Sequence, residues 1–223
     1  MTEEPFVDLV AAYAKSYVSD AGVKERYCKA SVSDFSEDVA GQIERAAVAV
    51  LERRENVFVT GPQGRGKSYL AAALVREIGT LIASSAKRIE RVQVTGDVGN
   101  HFLLHGRDKD EWTPSTEWVL VPKALDELRE SFSGSDATPQ WRGLTGVSIV
   151  VLDDLGGHKV TDWTAETLYT LIAERYDHVL PTIVTTNMSK KELAQAIDAR
   201  LVSRLAEGPQ IVLSGEDRRV HHG

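Results

Sequence analysis

The sequence predicts a three-layer α/β domain of the P-loop nucleoside triphosphatase type, in which a central parallel five-stranded sheet is flanked by helices. Two observations predict this fold. Short apolar runs alternate along the chain with segments of helical periodicity, the pattern of a parallel sheet covered on both faces. The turn at residues 61–68 has the sequence G-P-Q-G-R-G-K-S, which matches the G-x-x-x-x-G-K-S spacing of a phosphate-binding loop.

The composition fits one such domain. The chain has 223 residues, 42% hydrophobic and 26% charged, which is enough for a single α/β core. Its net charge of −7 argues against wholesale coating of nucleic acid but leaves room for a local basic groove. The single cysteine, Cys28, excludes an internal disulfide, and no apolar run is long enough for a signal peptide or membrane span. We therefore expect a protein of a reducing cytoplasm.

The first elements lead into the phosphate loop. We divide the chain into an N-terminal extension, residues 1–36, and a core domain, residues 37–223. Residues 5–19 place apolar side chains at three- and four-residue steps, which predicts an amphipathic helix that either packs on its own domain or binds a partner. A second helix over 37–54 precedes a strand over 56–60, and a third helix begins at residue 69, after the loop.

Residues 84–117 interrupt the alternation and form an insertion. The stretch is polar and much longer than an ordinary connection from helix to strand, so we expect a strand or hairpin plus an irregular excursion. It could serve as a surface for a partner or for DNA. Lys87, Arg88 and Arg91 could meet phosphate there, although mixed charges beside Glu90 more commonly form a solvated face.

The second half of the chain restores the alternation. Strands are predicted at 118–121, 147–152, 182–186 and 210–213. Helices are predicted at 124–132 and 163–178, and a single helix capped by Ser189 runs to about residue 206. The run 147–152 is the most hydrophobic of the chain, which predicts a central strand buried on both faces. In such sheets, ligands bind at the carboxyl ends of the strands.

The loop has the chemistry that a nucleoside triphosphate requires. Its glycines allow successive backbone N–H groups to face the phosphates, Lys67 brings a positive charge to the β and γ oxygens, and the Ser68 hydroxyl can bind Mg²⁺. We expect nucleotide contacts from Gly61, Pro62, Gln63, Gly64, Arg65, Gly66, Lys67, Ser68 and Tyr69.

Polar residues at the ends of two later strands suggest hydrolysis. Asp153 would meet the Mg²⁺ held by Ser68, and Asp154 could orient or deprotonate the attacking water. Asp-Asp-Leu-Gly-Gly is also good turn chemistry, so it is the phosphate loop that favours the catalytic interpretation. Asn187 ends the strand 182–186, where its amide could bond the water and the γ-phosphate; a cap or turn residue is the alternative.

Two arginines on one face of the last helix form a further candidate. Arg200 and Arg204 are four positions apart, and a guanidinium there could reach the γ-phosphate of a neighbouring subunit. A salt bridge with Asp198 or Glu207 is the alternative, which the sequence by itself favours.

Taken together, Gly61–Ser68, Leu152–Gly156, Thr185–Asn187 and Ala199–Leu205 resemble the AAA+ ATPases of the DnaC/DnaI helicase-loader and IstB transposition-helper family. Residues 22–27, followed by 32–35, resemble the segment that leads into the ATPase core of this family. The resemblance covers roughly residues 22–83 and 118–219, which is most of the chain, and leaves 84–117 as an insertion that is atypical of the family.

The resemblance implies roles for individual residues. Lys67 and Ser68 match the Walker A residues, Asp153 and Asp154 the Walker B pair, and Asn187 the sensor-1 residue. Arg204 matches the arginine finger that acts between subunits, and Arg219 the final sensor-2-like arginine. The implied ligands are ATP, rather than GTP, and Mg²⁺. The implied sheet places the sensor-1 strand between the Walker B strand and the loop strand.

The resemblance also implies partners. It implies assembly into a ring or spiral and contact with single-stranded DNA near Lys123. The predicted function is an ATPase of DNA replication that binds single-stranded DNA and assists the loading or remodelling of a hexameric replicative helicase. The compact chain favours a phage origin, and the expected setting is the cytoplasm of a bacterial cell or a phage-infected host. Helicase loaders usually carry a substantial N-terminal helicase-binding region, however, whereas only residues 1–21 precede the core-leading segment here.

Two other functions stay open. An IstB-like transposition helper ATPase would bind duplex DNA and respond to a transposase. A non-catalytic, ATP-dependent oligomeric scaffold or switch would use the nucleotide only to order an interface. The presence of both Asp154 and Arg204 favours catalysis over the scaffold.

Overall fold

A computed structural model of the protein describes residues 5–92, 101–106, 112–132, 140–157 and 159–214. The helices in these ranges are α1 Phe6–Asp20, α2 Glu37–Arg53, α3 Lys67–Ser84, α4 Val121–Ser131, α5 Asp162–Asp177, α6 Lys190–Ala196 and α7 Ala199–Leu205. The strands are β1 Val57–Thr60, β2 Arg88–Val92, β3 His101–His105, β4 Thr116–Leu120, β5 Ile149–Leu155, β6 Thr182–Thr186 and β7 Gln210–Val212. Within the described ranges no helix is long and apolar enough to cross a bilayer.

The central sheet has the strand order β4-β5-β6-β1-β7, and every neighbouring pair is parallel. The predicted five-stranded parallel sheet is therefore confirmed, with β6 between β5 and β1 as the resemblance implied. Strands β2 and β3 form a separate antiparallel hairpin within the insertion 84–117. The irregular excursion expected around this hairpin falls largely on residues 93–100 and 107–111, which lie outside the described residues.

The sheet separates two apolar cores, which makes the domain three-layered. Val57 and Val59 of β1 belong to the core that contains α1, α2 and α3, whereas Phe58 between them belongs to the core of α4, α5, α6 and α7. This split follows from the two-residue period of a strand. The first four residues of β5 are all buried because helices cover both faces, which explains why this strand has a continuous apolar sequence.

Helix α1 packs on the domain. Ala14, Tyr17 and Val18 are buried, and the Tyr17 hydroxyl donates to the carbonyl of Pro114 at 2.9 Å and lies 2.8 Å from the Thr116 hydroxyl. Burial raises the pKa of the Tyr17 phenol. Tyr17 and Val18 of the predicted apolar stripe are therefore part of the core, and Leu9, Val10 and Tyr13 pack against buried residues, in agreement with the packing alternative, whereas Phe6 is exposed.

Several predicted element boundaries are wrong, and two of them have a clear local cause. The single helix expected to run to about residue 206 is two helices, α6 and α7, because Asp198 starts a new helix by accepting hydrogen bonds from the backbone N–H groups of Arg200 and Leu201 at 2.7 and 3.4 Å. Val121, expected to end a strand, begins α4. Pro122 then occupies the first helical turn, where its missing N–H costs nothing.

Candidate functional site

The phosphate loop joins the carboxyl end of β1 to the start of α3. Gly66 caps this helix with a backbone φ of 86°, a left-handed conformation that favours glycine. Lys67 is the first residue of the helix. Only 7% of it is exposed, and its Nζ donates to the carbonyl of Pro62 at 2.8 Å. A helix N-terminus and a lysine ammonium thus flank one loop, the arrangement that binds phosphate in proteins.

Arg65 in the same loop indicates that an anion fits there. Its Nε and Nη1 atoms are buried and have no hydrogen-bond partner among the described residues. A buried donor without an acceptor costs free energy. Bound phosphate would bring acceptor oxygens to this loop, so the residues present suit a nucleotide.

Asp153 and Asp154 lie in a bulge of β5. Leu152 pairs with Val184 and Leu155 pairs with Thr186, so two residues of β5 stand opposite one residue of β6. Asp154 has a φ of 62°, which is uncommon for a residue other than glycine. In a regular strand two successive side chains point to opposite faces, but the bulge lets both carboxylates contact neighbouring groups of the site.

Asp153 is bound to the phosphate loop. Its Oδ1 accepts from the hydroxyls of Ser68 and Thr185, each at 2.7 Å, and only 3% of the residue is exposed. Burial raises the pKa of the Asp153 carboxyl above its usual value, although these two hydrogen bonds oppose the shift. A bound cation would favour the charged form of this carboxyl.

The oxygens of Ser68 and Asp153 suit Mg²⁺, which prefers hard oxygen ligands. In the parts of the chain that the structure describes, no group of three or more His, Cys, Asp or Glu side chains could hold a metal ion. Mg²⁺ usually binds through one or two protein oxygens together with waters and substrate phosphates. The donor set therefore fits Mg²⁺ bound together with a nucleotide.

Asp154 and Asn187 contact each other at the carboxyl ends of β5 and β6. The Asn187 amide donates from Nδ2 to Asp154 Oδ1 at 3.1 Å, and Asn187 is exposed. Gly157 leaves the space for this carboxylate, because a Cβ atom at position 157 would lie 2.3 Å from Asp154 Oδ2 and 2.6 Å from its Cγ. The absence of a side chain at position 157 thus permits the observed position of Asp154.

We expect Gly157→Ala to lower nucleotide turnover at least about tenfold, because the new methyl group displaces the carboxylate of Asp154 from Asn187. The melting temperature should change little, since residue 157 is exposed. Gly143→Ala is the matched control, because no atom lies within 4 Å of a Cβ at that position. Phosphate release and thermal unfolding are the measurements, and equal turnover in the two variants would contradict this role of Gly157.

Thr185 links the carboxylate of Asp153 to the backbone of Asp154, a role that the sequence did not reveal. Its hydroxyl donates to Asp153 Oδ1 at 2.7 Å and accepts from the backbone N–H of Asp154 at 2.9 Å. A sequence signal exists in retrospect. The buried strand β6 carries three threonines, and a hydroxyl inside a sheet covered on both faces needs a hydrogen-bond partner.

Arg204 lies away from the phosphate loop of its own chain. Its backbone carbonyl accepts from Asn56 Nδ2 at 2.9 Å, and Asn56 precedes β1, so this contact is at the amino end of the strand whose carboxyl end carries the loop. Arg200, one turn earlier in α7, forms an ion pair with Asp198 at 2.9 Å. The salt-bridge alternative therefore holds for Arg200, whereas Arg204 has no ion pair among the described residues.

The remaining predicted residues occupy three different places. The Tyr69 hydroxyl donates to Asp34 Oδ2 at 2.8 Å, which connects the first turn of α3 with the segment before α2. Lys123 is exposed in the first turn of α4, with its Nζ 3.2 Å from Glu127 Oε1. Arg219 lies outside the described residues.

The sheet order, the phosphate loop and the two carboxylates beside it give the domain the fold of the P-loop nucleoside triphosphatases of the AAA+ class. Two curated relatives narrow this class. The chain is 23% identical over 180 residues to an ATP-binding protein of insertion sequence IS5376 from Geobacillus stearothermophilus. This alignment covers 80% of this chain and 55% of that protein. The chain is also 28% identical over 138 residues to the replicative helicase loader DnaI of Bacillus subtilis. This second alignment covers 55% of this chain and 44% of that protein.

Solved structures support the same fold. A structure of the DnaC helicase loader matches with a TM-score of 0.62 and 19% identity, over 86% of this chain and all of that one. A DnaI structure matches with a TM-score of 0.60 and 20% identity, over 88% of this chain and 94% of that one. The replication initiator DnaA bound to AMPPCP and single-stranded DNA matches with a TM-score of 0.57 and 14% identity, over 87% of this chain and 51% of that one.

These relatives confirm the resemblance to the DnaC/DnaI and IstB family of AAA+ ATPases. No family model matches the chain. The chain spans about half the length of the curated relatives that it matches. The structural similarities show the fold.

Proposed function

We propose that the protein is an ATPase of DNA replication that binds ATP with Mg²⁺ and single-stranded DNA, and assists the loading or remodelling of a replicative helicase. The observation that carries the proposal is a continuous set of hydrogen bonds from Ser68 through Asp153, Thr185 and Asp154 to Asn187. It joins the phosphate loop to two strand ends, where the γ-phosphate of a nucleotide is expected. The similarity to the DnaI and DnaC loaders supports the replication role.

Within one chain, different residues bind the phosphates and the metal ion. Lys67 and the first backbone N–H groups of α3 hold the phosphates, and Arg65 supplies further donors. Ser68 and Asp153 would hold Mg²⁺, which when bound neutralises charge that develops on the phosphates. The buried position of Asp153 keeps water away from this part of the site and so strengthens its electrostatic interactions.

Asp154 and Asn187 position the attacking water. The Asp154 carboxylate accepts a hydrogen bond from the water and orients it, while Asn187 fixes the carboxylate through the bond from Nδ2 to Oδ1. The second amide proton of Asn187 stays available for the γ-phosphate. This assignment explains why the two side chains need the left-handed backbone at Asp154 and the space at Gly157.

The site is completed by a neighbouring subunit in a ring or spiral. Arg204 is attached at the amino end of β1, remote from the loop of its own chain, but it has no ion pair among the described residues and can serve an anion on a second copy. An arginine supplied in this way accelerates phosphoryl transfer strongly in other P-loop proteins. Turnover should therefore rise steeply with protein concentration.

The DNA contact is assigned to the start of α4. Lys123 is exposed there, and its pairing with Glu127, four residues later, is a surface interaction that a DNA phosphate can replace at little cost. Lys123→Ala should weaken the binding of single-stranded DNA uniformly across sequences.

The proposal is tested with the replicative helicase of the same genome. ATP turnover and complex formation are measured with single-stranded DNA, with duplex DNA and with neither, and Lys67→Ala serves as the inactive control. We expect turnover stimulated by single-stranded DNA and a complex with the helicase. No helicase complex and no stimulation by single-stranded DNA would refute the loading role.

The transposition helper is a second candidate because the insertion-sequence relative covers 80% of this chain. It predicts stimulation by duplex DNA and a complex with a transposase. Sequencing the genes next to the gene of this protein would show whether a transposase or a helicase is encoded beside it. The same neighbourhood would test a phage origin. A scaffold role would be supported if Asp154→Asn left turnover unchanged in the assembled state.

A further inference from the structure

Two arginines of α7 lie on two tyrosines of α5. The guanidinium carbon of Arg200 lies 4.7 Å from the ring centroid of Tyr169. That of Arg204 lies 5.8 Å from the Tyr169 centroid and 5.1 Å from the Tyr176 centroid. The tyrosines are seven positions apart, so they share one face of α5, and the arginines are four apart on one face of α7. We call these four side chains the arginine–tyrosine stack.

The two arginines of the stack differ in their charge partners. Arg200 is neutralised by Asp198, with Nε 3.2 Å from Oδ1 and Nη2 2.9 Å from Oδ2, and this pairing lowers the pKa of the Asp198 carboxyl. The same carboxylate caps α7. Arg200 therefore supports the start of its own helix.

Arg204 is held without being neutralised. It forms no ion pair with the described residues, and its Nη1 is buried without a hydrogen-bond partner. The nearby Glu207 carboxylate accepts from the Tyr176 hydroxyl, at 3.1 and 2.9 Å to its two oxygens, instead of pairing with Arg204. An aromatic ring attracts a guanidinium through its face and leaves the N–H groups in the plane of the guanidinium free to donate.

We propose that Tyr169 and Tyr176 are positioning residues that keep Arg204 charged, ordered and free for an anion carried by a second copy of this chain, namely the terminal phosphate of its bound nucleotide. The inference rests on the proposed function, since it requires a neighbouring subunit. The ring faces restrict the flexible arginine before assembly, so less conformational freedom is lost when the phosphate is bound. A carboxylate partner would restrict it equally well, but that partner would have to be displaced.

The test uses two variants of the chain, one that binds the nucleotide and one that supplies Arg204 to it, so that the two roles are measured separately. An acceptor chain with Arg204→Ala binds ATP but donates no arginine, and a donor chain with Lys67→Ala donates the arginine but has a defective loop. Mixing them should raise turnover at least about tenfold above either chain alone. The donor should also slow the release of a fluorescent, non-hydrolysable ATP analogue from the acceptor, which is a readout independent of hydrolysis.

Tyr169 is then changed in the donor only. A donor with Lys67→Ala and Tyr169→Leu should lose about nine-tenths of the rescue and of the slowed release, whereas Tyr169→Phe, which keeps the ring, should retain both. Thermal unfolding shows whether the Leu variant is folded. At concentrations too low for assembly, the single variant Tyr169→Leu should bind the analogue as the parent does, because its own phosphate loop is intact.

Two results would overturn the inference, and they are distinguishable. If the Leu and Phe donors rescue equally, the stack does not position Arg204, while the proposed assembly stands. If the unmodified donor gives no rescue and no slowing of release at concentrations at which the mixture assembles, Arg204 does not act between subunits, and the inference fails together with that part of the proposed function.

Discussion

Asp153→Asn is expected to remove ATP turnover while raising the free energy of unfolding of the nucleotide-free protein near neutral pH. The asparagine keeps an oxygen that accepts from the hydroxyls of Ser68 and Thr185, so both hydrogen bonds survive. What is lost is a charge whose burial is unfavourable, as the raised pKa of this carboxyl indicates. Turnover should fall at least about a hundredfold, because the residue proposed to hold Mg²⁺ no longer carries the charge.

The stability difference should depend on pH in a defined direction. Folding raises the pKa of Asp153, so between the usual carboxyl pKa of 3.8 and the raised one the unfolded chain has released this proton and the folded chain has not. Over that range the free energy of unfolding of the parent protein falls as pH rises. The Asp153→Asn variant does not lose stability in this way. Its excess free energy of unfolding over the parent should therefore be absent below pH 3.8, grow between the usual and the raised pKa of Asp153, and stay constant above the raised pKa.

Urea unfolding of both proteins between acid and neutral pH measures this difference, and phosphate release measures turnover. Asp126→Asn is the matched control, because Asp126 is exposed on α4 and its removal should change neither quantity appreciably. Other carboxyls with raised pKa values, such as Glu77, titrate in both proteins and cancel in the comparison. A variant less stable than the parent at neutral pH would show that the charged carboxylate stabilises the free protein.

The parts of the site that the sequence predicts are those encoded in contiguous residues. The phosphate loop is one segment with a fixed spacing, and the five strands are short apolar runs whose burial on both faces follows from alternation with helices. Asp153 and Asn187 could be placed at the same edge of the sheet from their positions in the sequence, because each follows an apolar run that forms a strand of one parallel sheet. These predictions need no knowledge of which side chains touch.

Features that depend on contacts between distant segments could not be predicted in this way. The link through Thr185 requires the bulge that sets two residues of β5 against one of β6. The difference between Arg200 and Arg204 depends on the break at Asp198 and on tyrosines of another helix, and helical periodicity by itself joins α6 and α7 into one helix. In each case a local side-chain bond or a partner from elsewhere in the chain outweighs the pattern of apolar residues.

The hydrogen bonds of Arg175 are a further set of contacts that no pattern in the sequence indicated. It lies in α5, is fully buried and has no carboxylate partner among the described residues. Its donors reach four carbonyls and one hydroxyl: Leu144 at 2.6 Å, Val147 at 2.7 Å, Ser148 at 3.4 Å, Pro181 at 2.7 Å and the Thr182 hydroxyl at 3.0 Å. Burial lowers the pKa of Arg175 to about 10, so it stays charged at neutral pH. One guanidinium therefore ties together the segments that lead into β5 and β6.

We expect Arg175→Met to lower the free energy of unfolding by at least about 3 kcal/mol, because the methionine fills much of the space of the arginine stem but leaves several buried carbonyls without a donor. This would be a large part of the total, since domains are stable by only about 5–15 kcal/mol. Arg175→Lys, which keeps the charge with fewer donors, should lie between the parent and Arg175→Met.

Urea unfolding measures the loss, with Arg45→Met as the control, because Arg45 is exposed on α2 and should change the midpoint little. The strands that Arg175 anchors carry Asp153, Asp154 and Asn187 at their far ends. Where Arg175→Lys still folds, its turnover should therefore fall by more than its nucleotide affinity, since small shifts of β5 against β6 misplace the carboxylates but not the phosphate loop. An Arg175→Met protein within about 1 kcal/mol of the parent would mean that water or backbone movement satisfies the carbonyls, and that the guanidinium is not what holds these strands in register.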